Sequence, residues 1–151
     1  YLRLLPENIK VQKVSKHSFL LEEFILNQYN EGLISSSDFC SEKAEVKIHA
    51  HCHQKSISNS KITFDLLSIP ENYKATIIPS GCCGMAGSFG YEKEHYDVSM
   101  KIGELILFPA VRKARPETII SANGTSCRHQ IKDGTGREAM HPVSILKEAL
   151  K

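Results

Sequence analysis

A small α/β fold with a mostly parallel sheet is predicted by two features. Short β-branched or alternating runs lie at 45–50, 75–78 and 117–121, and stretches of helical periodicity separate them. Strands interrupted by helices need crossover connections, which leave neighbouring strands parallel and put helices on both faces of the sheet. At 151 residues, 41% hydrophobic and 24% charged, the chain holds about one domain's worth of ordinary globular sequence.

Residues 1–14 have no regular pattern. From Ser18, the positions Phe19, Leu20, Phe24, Ile25 and Tyr29 recur at helical spacing until Gly32, and Ser35–Asp38 reads as a loop. Glu45–Ala50 alternates polar and apolar residues, as a strand does. Residues 59–68 suit a helix closed by Pro70. Ala75–Ile78 is the second strand, halted by Pro79-Ser80-Gly81. Tyr91, His95, Val98, Ile102, Leu105 and Ile106 define one side of the clearest helix. Pro109 and Pro116 bracket a short one. Glu117–Ser121 is the third strand, Asn123-Gly124 a turn, and 125–132 a helical turn ended by Gly134 and Gly136. Glu138–Met140 suits a marginal fourth strand. Pro142 opens a last helix with Val143, Leu146, Ala149 and Leu150 inward.

Nineteen Lys and Arg against seventeen Asp and Glu leave a formal charge of +2, scattered along the chain. This argues against a charge-driven nucleic-acid or membrane surface, and no apolar run reaches the roughly 18 residues of a transmembrane helix. The chain starts at Tyr1 without a signal-like segment, so a fragment of a longer protein is expected. Five cysteines are an odd number and too sparse for a disulfide-stapled secreted domain. A cytoplasmic setting follows, compatible with peripheral contact at the inner face of a membrane.

Placed on the predicted strands, the cysteines become informative. Cys52 follows the first strand, Cys82 and Cys83 the second, and Cys127 the third. Carboxyl ends of parallel strands share one edge, where α/β proteins bind ligands. One cysteine there would be an ordinary core residue; four predict a site. Cys40, in the Ser-rich loop, has no such place. Adjacent Cys82 and Cys83 have Cα atoms about 3.8 Å apart, below the roughly 4.4–6.8 Å of ordinary disulfides. A stable crosslink between them is therefore disfavoured.

Four thiolates form a donor set for an iron–sulfur cluster or zinc. Gly81, Gly84, Gly87 and Gly90 space the pair at intervals of three. Gly81, Gly84 and Gly87 would let backbone amides approach an anionic cluster. His49, His51 and His53 alternate around Cys52, and His129 stands near Cys127. His53 and His129 are the histidines singled out as an extra ligand or a supporting donor. Hydrogen bonding within a polar loop is the ordinary alternative for each of these. His141 suits a helix cap, and His95 an inward or half-buried helical position.

The run Pro79-Ser-Gly-Cys-Cys-Gly-Met-Ala-Gly-Ser-Phe-Gly90 resembles the CCG motif of the cysteine-rich domain. That domain occurs in heterodisulfide reductase B subunits, glycolate oxidase iron–sulfur subunits and lactate-utilisation proteins. His49–Lys55 and Asn123–Gln130 look like its first and last cysteine segments. Agreement is best with the carboxyl-terminal part of large FAD-linked oxidases, and the resemblance covers residues 45–150. It implies that Cys52, Cys82, Cys83 and Cys127 bind a [4Fe–4S]-type cluster. Electrons would pass from a reduced flavin to an acceptor, in a dehydrogenase acting on 2-hydroxy acids. The flavin, FAD, would sit in an upstream domain or a partner subunit. The chain departs from the fullest pattern, Cys-x-x-Cys, in having Cys127-Arg-His-Gln130. That removes a fifth thiolate and counts against a double-cubane-like cluster. A structural zinc module with the same ligands is the alternative; a thiol–disulfide enzyme built on Cys82 and Cys83 is the weaker third.

Overall fold

Three parallel strands form the centre of the computed structural model, which describes residues 2–59 and 61–151. They are β1 (Ala44–His49), β2 (Tyr73–Ile77) and β3 (Ile119–Ala122), in the order β2-β1-β3. The register sets Ile48 beside Ile77 and Ser121, and His49 beside Ala122. The small α/β fold is as the alternation of strand and helix patterns predicts. The marginal fourth strand is reduced to one parallel bridge between Ser121 and Met140.

Eight α-helices surround the sheet among the described residues: α1 (Ile9–Lys16), α2 (Leu21–Asn30), α3 (Cys52–Ile57), α4 (Lys61–Leu67), α5 (Tyr96–Leu105), α6 (Leu107–Arg112), α7 (Thr125–Thr135) and α8 (Pro142–Glu148). Successive strand residues face opposite sides. Val46 and Ile48 pack with Leu67 of α4 and Ile145 of α8 on one face. Ile120 and Ala122 pack with Phe108, Val111 and Ile131 on the other. Both faces are thus covered toward the carboxyl end of β1: His49, on the second face, is fully buried, whereas Glu45 near the start of the strand is exposed. A further layer, with Ile25, Leu26 and Tyr29 of α2, covers Leu66 and Leu146.

Several local expectations shift. Helix α1 lies partly in the segment that reads as irregular. Asn8 caps it, its Oδ1 accepting from the amides of Lys10 and Val11, yet it buries no residue and so leaves no apolar face in the sequence. The clearest predicted helix begins as two 3₁₀ turns, Phe89–Tyr91 and Lys93–His95, before α5. Its apolar stripe points outward: Val98 is 47% and Leu105 77% exposed. The inward side instead carries Ser99 and Gly103. A Cβ on Gly103 would lie 2.3 Å from the Phe108 ring, so small residues there admit the bulky ring of α6.

Pro109 lies inside α6 rather than before it, in the first turn, where a missing N–H breaks no helical bond. Helix α7 runs past Gly134, which also packs against Phe108, and stops at left-handed Gly136. These helices place the ends of β1, β2 and β3 at one rim.

Candidate metal centre

Each strand delivers its cysteine to this rim within a few residues of its end. Cys52 is the first residue of α3, three positions beyond β1. Cys82 and Cys83 lie in the loop after β2, and Cys127 in the first turn of α7 after β3. All four are free thiols; Cys52 is exposed, Cys82 half-buried, and Cys83 and Cys127 buried. Cys40 also is free, but it precedes β1, at the opposite end of the sheet.

The thiols group as an inner and an outer pair. The Cys127 thiol beside Cys83 holds Cys83 well below the usual thiol range, against the opposing effect of burial. His49 and the Met85 amide lower it further. Cys127 is correspondingly pushed up, by that same contact and then by burial. The two thiols therefore titrate as a pair, with thiolate favoured on Cys83. In the outer pair, burial and the neighbouring Cys82 raise Cys52. The Cys52 Sγ lies 3.9 Å from the Gly81 carbonyl oxygen, and Cys82 Sγ accepts from the Gly84 amide at 3.3 Å.

The glycines differ in what they do here. Gly84 has φ +106°, and a Cβ on it would meet the Ser99 carbonyl oxygen at 2.1 Å. Only glycine permits that approach, which aims its amide at Cys82. Gly87, also left-handed at φ +73°, and Gly81 face open space. Gly81 contributes its carbonyl, which accepts from Lys55 Nζ at 3.4 Å.

The histidines sort themselves by the end of β1. His53 is exposed on α3, edge-to-face with His51. The His129 Nδ1 lies 3.3 Å from the Tyr91 hydroxyl. The histidine among the buried sulfurs is His49: ligand atoms of His49, Cys83 and Cys127 all lie within 4.8 Å of one another. Its Nδ1 is 2.7 Å from Ser80 Oγ, and its Nε2 is buried without a hydrogen-bond partner. Alternation along β1 places His49 opposite Val46 and Ile48 and so was the available signal for it; nothing in the sequence marks Ser80.

These donors fit a metal. Sulfur and imidazole nitrogen suit zinc or an iron–sulfur centre, and the orphaned Nε2 is a buried polar atom of the kind a ligand would satisfy. Cys127 is followed at the third position by Gln130, whose Nε2 donates to Ser99 Oγ at 2.8 Å.

No family model and no solved structure matches the chain. Curated relatives do. The chain is 31% identical over 106 residues to the C subunit of anaerobic glycerol-3-phosphate dehydrogenase from Escherichia coli K12, covering 70% of this chain and 26% of that protein. It is 41% identical over 71 residues to D-2-hydroxyglutarate dehydrogenase of the same strain, covering 47% of this chain and 7% of the relative. The Pseudomonas putida enzyme of that name is 29% identical over 101 residues, 66% of this chain and 10% of the relative. The chain therefore spans about a quarter of the first relative and a tenth or less of the others. With a Cys-Cys-Gly run whose Cys83 stands beside His49 and Cys127 on a parallel sheet, these likenesses fit a CCG cysteine-rich domain of FAD-linked oxidases.

Proposed function

We propose that this chain is the iron–sulfur electron-transfer module of a flavin-dependent 2-hydroxyacid dehydrogenase, with Cys52, Cys82, Cys83 and Cys127 as ligands. The observation that carries the reading is the meeting of thiols from three strand ends at one rim, in a chain similar to parts of two dehydrogenases. Residues 1–151 form one such domain, the carboxyl-terminal part of a larger FAD-linked oxidoreductase. FAD and the hydroxy acid are bound elsewhere, by an upstream domain or a partner subunit. A cytoplasmic setting, where thiols stay reduced, keeps the donors open to metal. Among the described residues no helix is long and apolar enough to cross a membrane.

When bound, a [4Fe–4S] cluster supplies a one-electron carrier whose potential depends on charge, hydrogen bonding and burial. The chain's residues govern those three quantities. Cys83 is already biased toward thiolate, the form that ligates metal. Gly84 and Met85 direct amides at Cys82 and Cys83, and such donors favour the more negative, reduced state. Apolar Ile78, Met85, Ala122 and Ile131 pack in the same cluster as Cys83 and Cys127 and keep water from the inner pair.

Anaerobic reconstitution followed by visible absorption, EPR and iron analysis tests the proposal. The expected result is a brown protein with about four irons per chain. Cys83→Ser and Cys127→Ser should abolish uptake, and Cys40→Ser should not. The mixed nitrogen and sulfur donors beside Cys83 favour a second reading, structural zinc. A colourless protein with stoichiometric zinc, unfolding on chelation, would establish that reading instead.

A further inference from the structure

We propose that His49 is a direct ligand of this centre, presented by Ser80. The inference rests on the metal-binding reading above and puts an imidazole nitrogen in place of one outer thiol, that of Cys52 or Cys82, in its four-donor set.

Four observations converge on it. His49 ends β1 fully buried, on the sheet face that carries Ala122 and the core around Cys127. Ser80, also buried and two residues before Cys82, holds Nδ1 at 2.7 Å. Nε2 is buried with no hydrogen-bond partner, a state that few buried polar atoms show. His49 also offers a ligand atom within 4.8 Å of those of Cys83 and Cys127. With Ser80 Oγ accepting from Nδ1–H, Nε2 carries the lone pair, the tautomer a metal needs.

Gln130 does not compete. Its amide is committed to Ser99, on the side of α7 that packs against α5. The neutral donor thus comes from the end of β1 and not from position 130 on α7. An imidazole in place of a thiolate removes one negative charge and raises the potential of a cluster, as in Rieske centres. Ser80 is a positioning residue; His49 is the ligand.

Zinc K-edge X-ray absorption on the zinc-loaded chain tests this without relying on activity. Wild type should show sulfur at about 2.3 Å and an imidazole nitrogen at about 2.0–2.1 Å, with imidazole outer-shell scattering. His49→Ala should lose the imidazole signature, and His49→Cys should restore tight uptake with a sulfur-only shell. Ser80→Ala should lower zinc affinity about 10–100-fold while keeping the same ligand types. A sulfur-only shell in wild type, or an imidazole that persists in His49→Ala, overturns the assignment of His49 and leaves the metal site standing. Failure of wild type to take up either zinc or iron overturns both.

Discussion

Lys55 Nζ donates to the Ser80 carbonyl oxygen at 2.9 Å, so the first helix after β1 is tied to the loop that precedes Cys82. The same ammonium reaches the Gly81 carbonyl, whose oxygen lies 3.9 Å from Cys52 Sγ. One side chain thus ties the helix that begins with Cys52 to the backbone just before Cys82. Lys55→Met keeps most of the apolar stem and removes the donor. A charge-assisted bond contributes about 1.5–3 kcal/mol when sheltered; exposure of Lys55 reduces this to about 1 kcal/mol. Zinc affinity should fall about fivefold with little change in thermal stability of the metal-free protein. Chelator competition measures the first and thermal unfolding the second. A large loss of stability with unchanged affinity would refute the tie.

Gly84 and Gly87 make a paired test of the loop. Both have positive φ, but only Gly84 would drive a Cβ into backbone, the Ser99 carbonyl. Gly87→Ala should cost about 1–2 kcal/mol, the ordinary penalty of a left-handed non-glycine residue. Gly84→Ala adds overpacking to that penalty and should cost about 2–5 kcal/mol in total. Denaturant midpoints of the two variants provide the comparison. Equal losses would mean that Gly84 is not closely packed.

Glu22 anchors α2 to the site from outside the segment that resembles the CCG domain. It is buried, and the Asn123 side-chain amide, at the end of β3, donates to it. Glu22→Ala leaves a half-buried amide short of its main acceptor and should cost about 1–2 kcal/mol. The exposed Lys61–Asp65 pair gives the contrast: Lys61→Ala should change stability by less than about 0.5 kcal/mol. Urea unfolding of both variants decides between them.

The parallel sheet and the common rim of the thiols were legible because each depends on order along the chain. Strand, cysteine, helix repeats three times, and parallel pairing then sets the edge. What was not legible depends on contacts between distant residues. The apolar stripe from Tyr91 to Ile106 reads as a core face by periodicity. Phe108 instead needs the small side of α5, so Gly103 turns inward and Val98 and Leu105 turn out. The position of His49 shows the same limit on the site. Three alternating histidines look equivalent until β1 stops at His49, after which His51 and His53 follow the turn into α3. Ser80 acquires a role only because the ends of β1 and β2 lie side by side.

His141 couples the cap of α8 to pH. Its Nδ1 accepts from the Val143 amide at 3.2 Å, as an N-cap acceptor does. Burial lowers its pKa, Arg128 of α7 adds to the shift, and Glu22 of α2 opposes it. Protonation would place a hydrogen on Nδ1 and abolish the cap. The folded pKa lies below the unfolded value of about 6.5, so the unfolded chain binds more protons between the two. The contribution is therefore fully present above about pH 6.5 and is lost as pH falls through the folded pKa. His141→Asn retains a capping oxygen but does not titrate. Its melting temperature should decline less than that of wild type between pH 7 and pH 5. Some slope should remain, because burial lowers the pKa of His51 in the same direction. Parallel melting curves for the two proteins would show that the cap survives protonation and that His141 is no source of acid sensitivity.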